Sequence, residues 1–290
     1  MSRRWILLAI GVFTGCEQTP GRSGDDGVVM GSSPPSPVMA AAFRGDAAEL
    51  RALLDGGADP NVADMGFTPL LVALQYHHWD AARLLLERGA DPRAVAPGGN
   101  TPLHHAANGG SEELTRALLA RGAYPDPVNK NGETPLVRAA TMNAEGVVSV
   151  LLEKGAEVNR SNPHGRTALM EAAFHRNTAV AERLIRAGAD PNAADRNGGT
   201  ALIFAAIRGH AATVEALLRA GAKVDARDDE GCTALFLTAQ KGHLDVIRVL
   251  LDKGADPRAR NVRGIDPLTA AQAAGQTEAA GLLGRAKTKP

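Results

Sequence analysis

The residues with the most chemistry to offer are the eight histidines. His77, His78, His104 and His105 come in two neighbouring pairs, and His175, His210 and His243 follow downstream. Neutral imidazole binds zinc and titrates near neutrality, so such a set could hold a metal or move a proton. The spacing argues against both. No H-E-x-x-H or C-x-x-C is present, and neither a G-x-S-x-G nor a phosphate-binding loop occurs. Asp228-Asp229-Glu230-Gly231 offers oxygen ligands for calcium but lacks the alternating ligand spacing of a calcium loop. Two cysteines, Cys16 and Cys232, lie in unrelated contexts, so a disulfide framework is not expected. No catalytic residue, metal site or cofactor is therefore expected. The alternative is an accessory or metal-dependent enzyme using the histidines of repeats 2 and 3, among His77, His78, His104 and His105; His77, His105 and His175 are the candidates for a metal site or a pH-sensitive contact.

What positions these residues is a repeat. Thr recurs at 68, 101, 134, 167, 200 and 233, always 33 residues apart. Gly66, Gly99, Gly132, Gly165, Gly198, Gly231 and Gly264 precede those positions by two, and Gly89, Gly122, Gly155, Gly188, Gly221 and Gly254 follow them by 21. A strict period of this length specifies a solenoid of stacked supersecondary units. It predicts a repeat solenoid of about eight units.

Each recurring residue has a physical reason. Thr caps a helix by accepting a backbone N–H. Pro69, Pro102 and Pro135 occupy the first helical position, where no N–H partner is needed. Leu70, Leu103, Leu136, Leu169, Leu202 and Leu235 point into the stack, and Ala106-Ala107, Ala139-Ala140 and Ala172-Ala173 let helices approach. Second helices end in doublets such as Leu118-Leu119 and Leu151-Leu152, both members expected to be buried. The two glycine series supply positive φ at a helix end and in a tight turn.

These units resemble ankyrin repeats, and the resemblance implies an all-α repeat solenoid of about eight helix-turn-helix units with β-turn fingers. Thr101-Pro102-Leu103-His104-His105-Ala106-Ala107 carries the likeness best. The repeat domain is expected over 36–284, in units 36–67, 68–100, 101–133, 134–166, 167–199, 200–232, 233–265 and a cap, 266–284. Unit one starts at Ser36-Pro37, and its finger, Gly57 to Phe67, is one residue short. The resemblance implies that His104 hydrogen-bonds across loops and that His210, His243 and their equivalent His78 are structural. Cys232, at a finger base, reads as a partly exposed, inert thiol that could pair with another chain in an oxidising compartment. Residues 285–290 read as a frayed tail.

Ahead of the repeats, Arg3 and Arg4 precede an apolar run from Trp5 to Gly15, too short to span a bilayer. Phe13-Thr14-Gly15-Cys16 resembles the lipobox of bacterial lipoproteins. That implies a signal peptide over 1–15 and lipidation of Cys16. Glu17 in place of Asp leans towards the outer membrane. Residues 16–35, rich in Gly, Ser, Pro and Asp, read as a disordered tether.

Net formal charge is zero, so nucleic acid is not an expected partner. Ankyrin resemblance implies contacts from the residue before each Thr and from the two residues after each small pair. Those rows include Phe67, Asn100, Glu133, Arg166 and Cys232, and Gln75-Tyr76, Thr141-Met142, Phe174-His175, Ile207-Arg208 and Gln240-Lys241. Phe67, Tyr76, Met142, Phe174, His175, Ile207 and Arg208 are the candidate partner-binding residues. The expected function is a non-enzymatic, monomeric protein-binding scaffold or regulator, lipid-anchored in a bacterial cell envelope or else secreted. An exported ankyrin effector is the other alternative.

Overall fold

The computed structural model describes residues 36–288. The signal peptide, the whole tether with Cys16, and residues 289–290 lie outside the described residues. Within them the chain forms eight helix pairs and no strand. The pairs are α1 Pro37–Arg44 and α2 Ala47–Asp55, α3 Pro69–Gln75 and α4 Trp79–Glu87, α5 Pro102–Asn108 and α6 Glu112–Ala120, and α7 Pro135–Thr141 and α8 Glu145–Glu153. They continue as α9 Ala168–Phe174 and α10 Thr178–Arg186, α11 Ala201–Ile207 and α12 Ala211–Arg219, α13 Ala234–Lys241 and α14 Leu244–Asp252, and α15 Pro267–Ala273 and α16 Thr277–Thr288. The last helix runs past the boundary expected at 284. No helix among the described residues is long and apolar enough to cross a membrane.

The caps fall where the threonines predict. Thr134 Oγ1 accepts from Val137 N at 3.3 Å, and Thr233 does the same for Phe236. Asp266 replaces Thr at α15 and accepts from Thr269 N at 2.8 Å. Thr101 differs: its own N–H donates to His104 Nδ1 at 3.1 Å. His104 Nε2 must then carry the proton, and it reaches the Glu133 carbonyl at 3.0 Å, tying one finger to the next.

One continuous core runs from Val38 to Leu283. Leu70, Leu103, Leu136, Leu169, Leu202 and Leu235 are fully buried in it, as are the alanine pairs. First helices, where those alanines lie, pack more closely on one another than second helices do. The stack therefore bends towards the first-helix row, which becomes its inner face.

The doublets correct an expectation. The first member, Leu118, Leu151, Leu184, Leu217 or Leu250, is fully buried, whereas Leu119, Leu152, Ile185, Leu218 and Leu251 are half-buried. Only in α4 are both, Leu85 and Leu86, buried. Successive helical residues point about 100° apart, so adjacent positions cannot share one core direction.

Between units, polar ladders repeat. His78 Nε2 donates to Phe43 O at 3.0 Å, His210 to Phe174 O at 3.1 Å and His243 to Ile207 O at 2.9 Å. Asn177 takes the same place and donates to Ala140 O at 2.7 Å. Each satisfies a carbonyl at the C-terminal end of the preceding first helix, where no intrahelical donor remains. A second ladder uses Asn159 and Asn192. Asn192 Nδ2 donates to Gly221 O at 3.1 Å, and its Oδ1 accepts from Lys223 N at 2.8 Å.

The fingers are built on a third series, Asn129, Asn162, Asp195, Asp228 and Asn261. The side-chain oxygen of each accepts two backbone N–H groups of its own loop; Asp228 Oδ1 takes those of Glu230 and Cys232 at 3.0 and 2.8 Å. Asp228 is thus a loop former. Burial raises its carboxyl above the usual range. Gly198 shows why glycine precedes Thr: its φ is +75°, and a Cβ there would lie 2.8 Å from the Asp228 backbone. The short first finger closes differently. Asp64 and Phe67 exchange two backbone hydrogen bonds around Met65 and Gly66, both at positive φ.

Candidate protein-binding face

The inner face carries three rows at the 33-residue period. The first is the finger residue before each Thr, and the second is the helical residue five positions later. The two meet. Glu133 and Arg138 pair at 3.0 Å, and one unit on, Arg166 and Glu171 pair at 2.9 Å with the charges exchanged. In the next unit the pair becomes Gly199 and Phe204, and a Cβ at Gly199 would lie 2.7 Å from the Phe204 ring. The vacated space is filled from the neighbour: the Arg166 guanidinium lies over the Phe204 ring.

Around that pair a compact cluster forms. Glu171 holds Arg166 with one carboxylate oxygen and faces His175 Nε2 at 3.8 Å with the other. Phe174 meets Phe204 edge-on, 6.4 Å between centroids, and Arg208 lies over the Phe174 ring at 4.7 Å. Burial lowers the His175 pKa first of all; Glu171 opposes this, while Arg166 and Arg208 add to it. His210 is lowered chiefly by burial as well, with Arg176 and Arg208 contributing.

The third row is the residue after each first helix or at its end: Tyr76, Gly109, Met142, His175, Arg208 and Lys241. Here the sequence reading is partly corrected. Tyr76 and Met142 are exposed, at 40% and 52%. Arg208 is exposed, while His175 and Ile207 are half-buried. Phe67 and Phe174 are not free anchors. Phe67 is 6% exposed and packs with Met39, Leu71, Val72 and Ala96, a burial that Arg166 and Cys232 share at the same position of later fingers. Phe174 is 7% exposed beneath its two arginines. Tyr76 has a packed edge too, meeting Phe43 at 4.8 Å in a T-shaped arrangement.

Cys232 is buried rather than partly exposed. It sits beside Phe236 and Ala270, with Asn261 Nδ2 3.8 Å from its sulfur. Burial, then the Asp228 charge, push its thiol up to about 11. A thiol so placed is a poor nucleophile and cannot meet one on another chain. No group of three or more His, Cys, Asp or Glu side chains able to hold a metal occurs among the described residues. His77 instead packs against Trp79, 4.9 Å between centroids.

Sequence reasoning missed Arg138, Glu171 and Phe204. Their signal was present: a charge at one finger position and its opposite five residues later, in two consecutive units.

A single elongated core with polar ladders between units, and a face of side chains the ladders do not use, defines a helical repeat solenoid of the interaction-module class. The chain belongs to the ankyrin repeat family. The family model described as ankyrin repeats in three copies matches residues 23–96, 93–162, 125–195, 169–261 and 218–288. Over 51 residues the chain is 45% identical to an ankyrin repeat-containing protein of Schizosaccharomyces pombe, covering 17% of this chain and 25% of that protein. Over 56 residues it is 48% identical to neurogenic locus notch homolog protein 4 of Homo sapiens, covering 19% of this chain and 3% of that protein. The matched segments thus span a quarter or less of either relative. Ankyrin repeats mediate binding to other proteins, and that is the general role this family membership supports.

Proposed function

We propose that this chain is a non-enzymatic, monomeric scaffold or regulator, held at a bacterial cell envelope by a lipid on Cys16, that captures another protein on its inner face. The observation that carries the capture is the exposure of Tyr76 and Met142 on the inner row, where burial of the neighbouring leucines already stabilises the stack. Large side chains left exposed in a line mark an interaction site more often than a folding need. The anchor rests on the lipobox-like Phe13-Thr14-Gly15-Cys16 and the polar segment after it.

Two experiments test the two halves. A photo-crosslinker placed at Met142 should give a discrete adduct in envelope extracts of the source cells, absent when it is placed at exposed Arg116 on the opposite helix row. Equal adducts from both sites would remove the inner-face assignment. Palmitate should label the full chain and not a Cys16→Ser variant; labelling unchanged in that variant would remove the anchor.

A further inference from the structure

The third inner row changes character along the stack. Tyr76, Gly109 and Met142 are uncharged, and His175, Arg208 and Lys241 are basic, all at one 33-residue spacing. Arg176 adds a further cation beside His175. Arg176, Arg208 and Lys241 are exposed, and among the described residues none has a carboxylate within ion-pair distance. The inner-row Glu171 in that half is committed to Arg166 and His175. By contrast, arginines of the second helices pair widely, as Arg183 with Glu145 and Arg248 with Asp245. Since the whole chain is formally neutral, this is a local surplus of positive charge.

We infer that the inner face takes an extended acidic segment of a protein, its carboxylates against Arg208 and Lys241 and an apolar side chain against Met142. The inference rests on the inner-face reading above and specifies its partner. Complementary charge is the reason: Arg208 is already ordered by its stacking on Phe174, so little freedom is lost on pairing. Behind burial, which is the main cause, Arg166, Arg176 and Arg208 add to the lowering of His175 or His210, as cations on this face would. Adjacent helices lie about 10 Å apart. An extended, polyproline-like chain advances about 3.1 Å per residue, so side chains three apart meet consecutive units. Acidic residues at i and i+3 would therefore face Arg208 and Lys241, with an apolar residue about six positions before the first. A nucleic acid needs a longer basic track than these cations provide.

The test uses fluorescein-labelled 14-residue peptides on a proline-serine background, titrated against the full chain by polarisation. One carries leucine followed by glutamates at that spacing, a second has the reverse order, and a third replaces glutamate by lysine. Saturable binding of one glutamate peptide is expected, weakened at least tenfold by Arg208→Glu/Lys241→Glu, with no binding of the lysine peptide. Both substituted residues are exposed, and an unchanged melting temperature confirms that the variant folds. Absence of binding to both glutamate peptides, binding indifferent to the double variant, or tighter binding of a heparin oligosaccharide overturns the proposal. A Met142 crosslink that persists in the double variant removes this inference and leaves the inner-face reading standing.

Discussion

The Arg166 guanidinium carbon lies 3.9 Å from the centroid of the Phe204 ring, one repeat further along the stack. The same guanidinium pairs with Glu171 at 2.9 Å, and both side chains are largely withdrawn from water, at 9% and 17% exposure. Arg166, the finger residue that closes unit four, thus joins α9 of unit five to a ring on α11 of unit six, which makes it a clamp across those units.

Removing one member of a buried ion pair leaves the other uncompensated, so Arg166→Ala should cost about 3 kcal/mol. Glu133 and Arg138 hold the opposite arrangement one unit earlier. Arg166→Glu/Glu171→Arg should therefore recover much of the loss, short of the stacking on Phe204, itself worth about 1 kcal/mol. Urea midpoints read both. Equal destabilisation by the single and the double change would refute the pairing.

The doublets separate two positions that look alike. Leu151 is fully buried and Leu152 is not. Leu151→Ala should cost about 2–5 kcal/mol, and Leu152→Ala less than half as much. A reversed order in urea denaturation would mean that the register of α8 differs from the one described.

The thiol of Cys232, pushed up to about 11, should be almost wholly protonated at pH 8. Labelling by iodoacetamide is expected to be slow in the native chain and fast in urea. Similar rates in both would contradict its burial.

Protonation should weaken the fold through two histidines. His175 and His210 are held below the ordinary value of about 6.5. The unfolded chain then binds more protons as pH falls, so their contribution is complete above about 6.5 and is lost as pH drops through the folded values. Unfolding free energy should decline from pH 7 to pH 5. His175→Gln together with His210→Asn, the latter copying Asn177, should flatten that decline. A slope unchanged in the double variant would assign it to other groups.

Much of the fold was legible before any coordinates, because its signals are local. A Thr cap needs only the N–H groups of the next turn, and a glycine at positive φ needs only its own backbone. The Asn129-to-Asn261 series was equally local yet went unread, since it mixes Asn with Asp and its bonds close inside a loop. The inner face was half legible. Tyr76, Met142 and Arg208 are exposed, but Phe67 packs inward against Met39, Leu71 and Val72, and Phe174 vanished beneath Arg166 and Arg208.

The amino-acid order by itself determined the number of units, their period and the ends of their helices, all decided within a few residues. Only the packed stack decided which of two adjacent leucines is core, which aromatic is exposed, and which arginine is already spoken for. Those outcomes depend on partners about 30 to 40 residues away, as with Arg166 and Phe204, and such neighbours meet only once one repeat lies against the next.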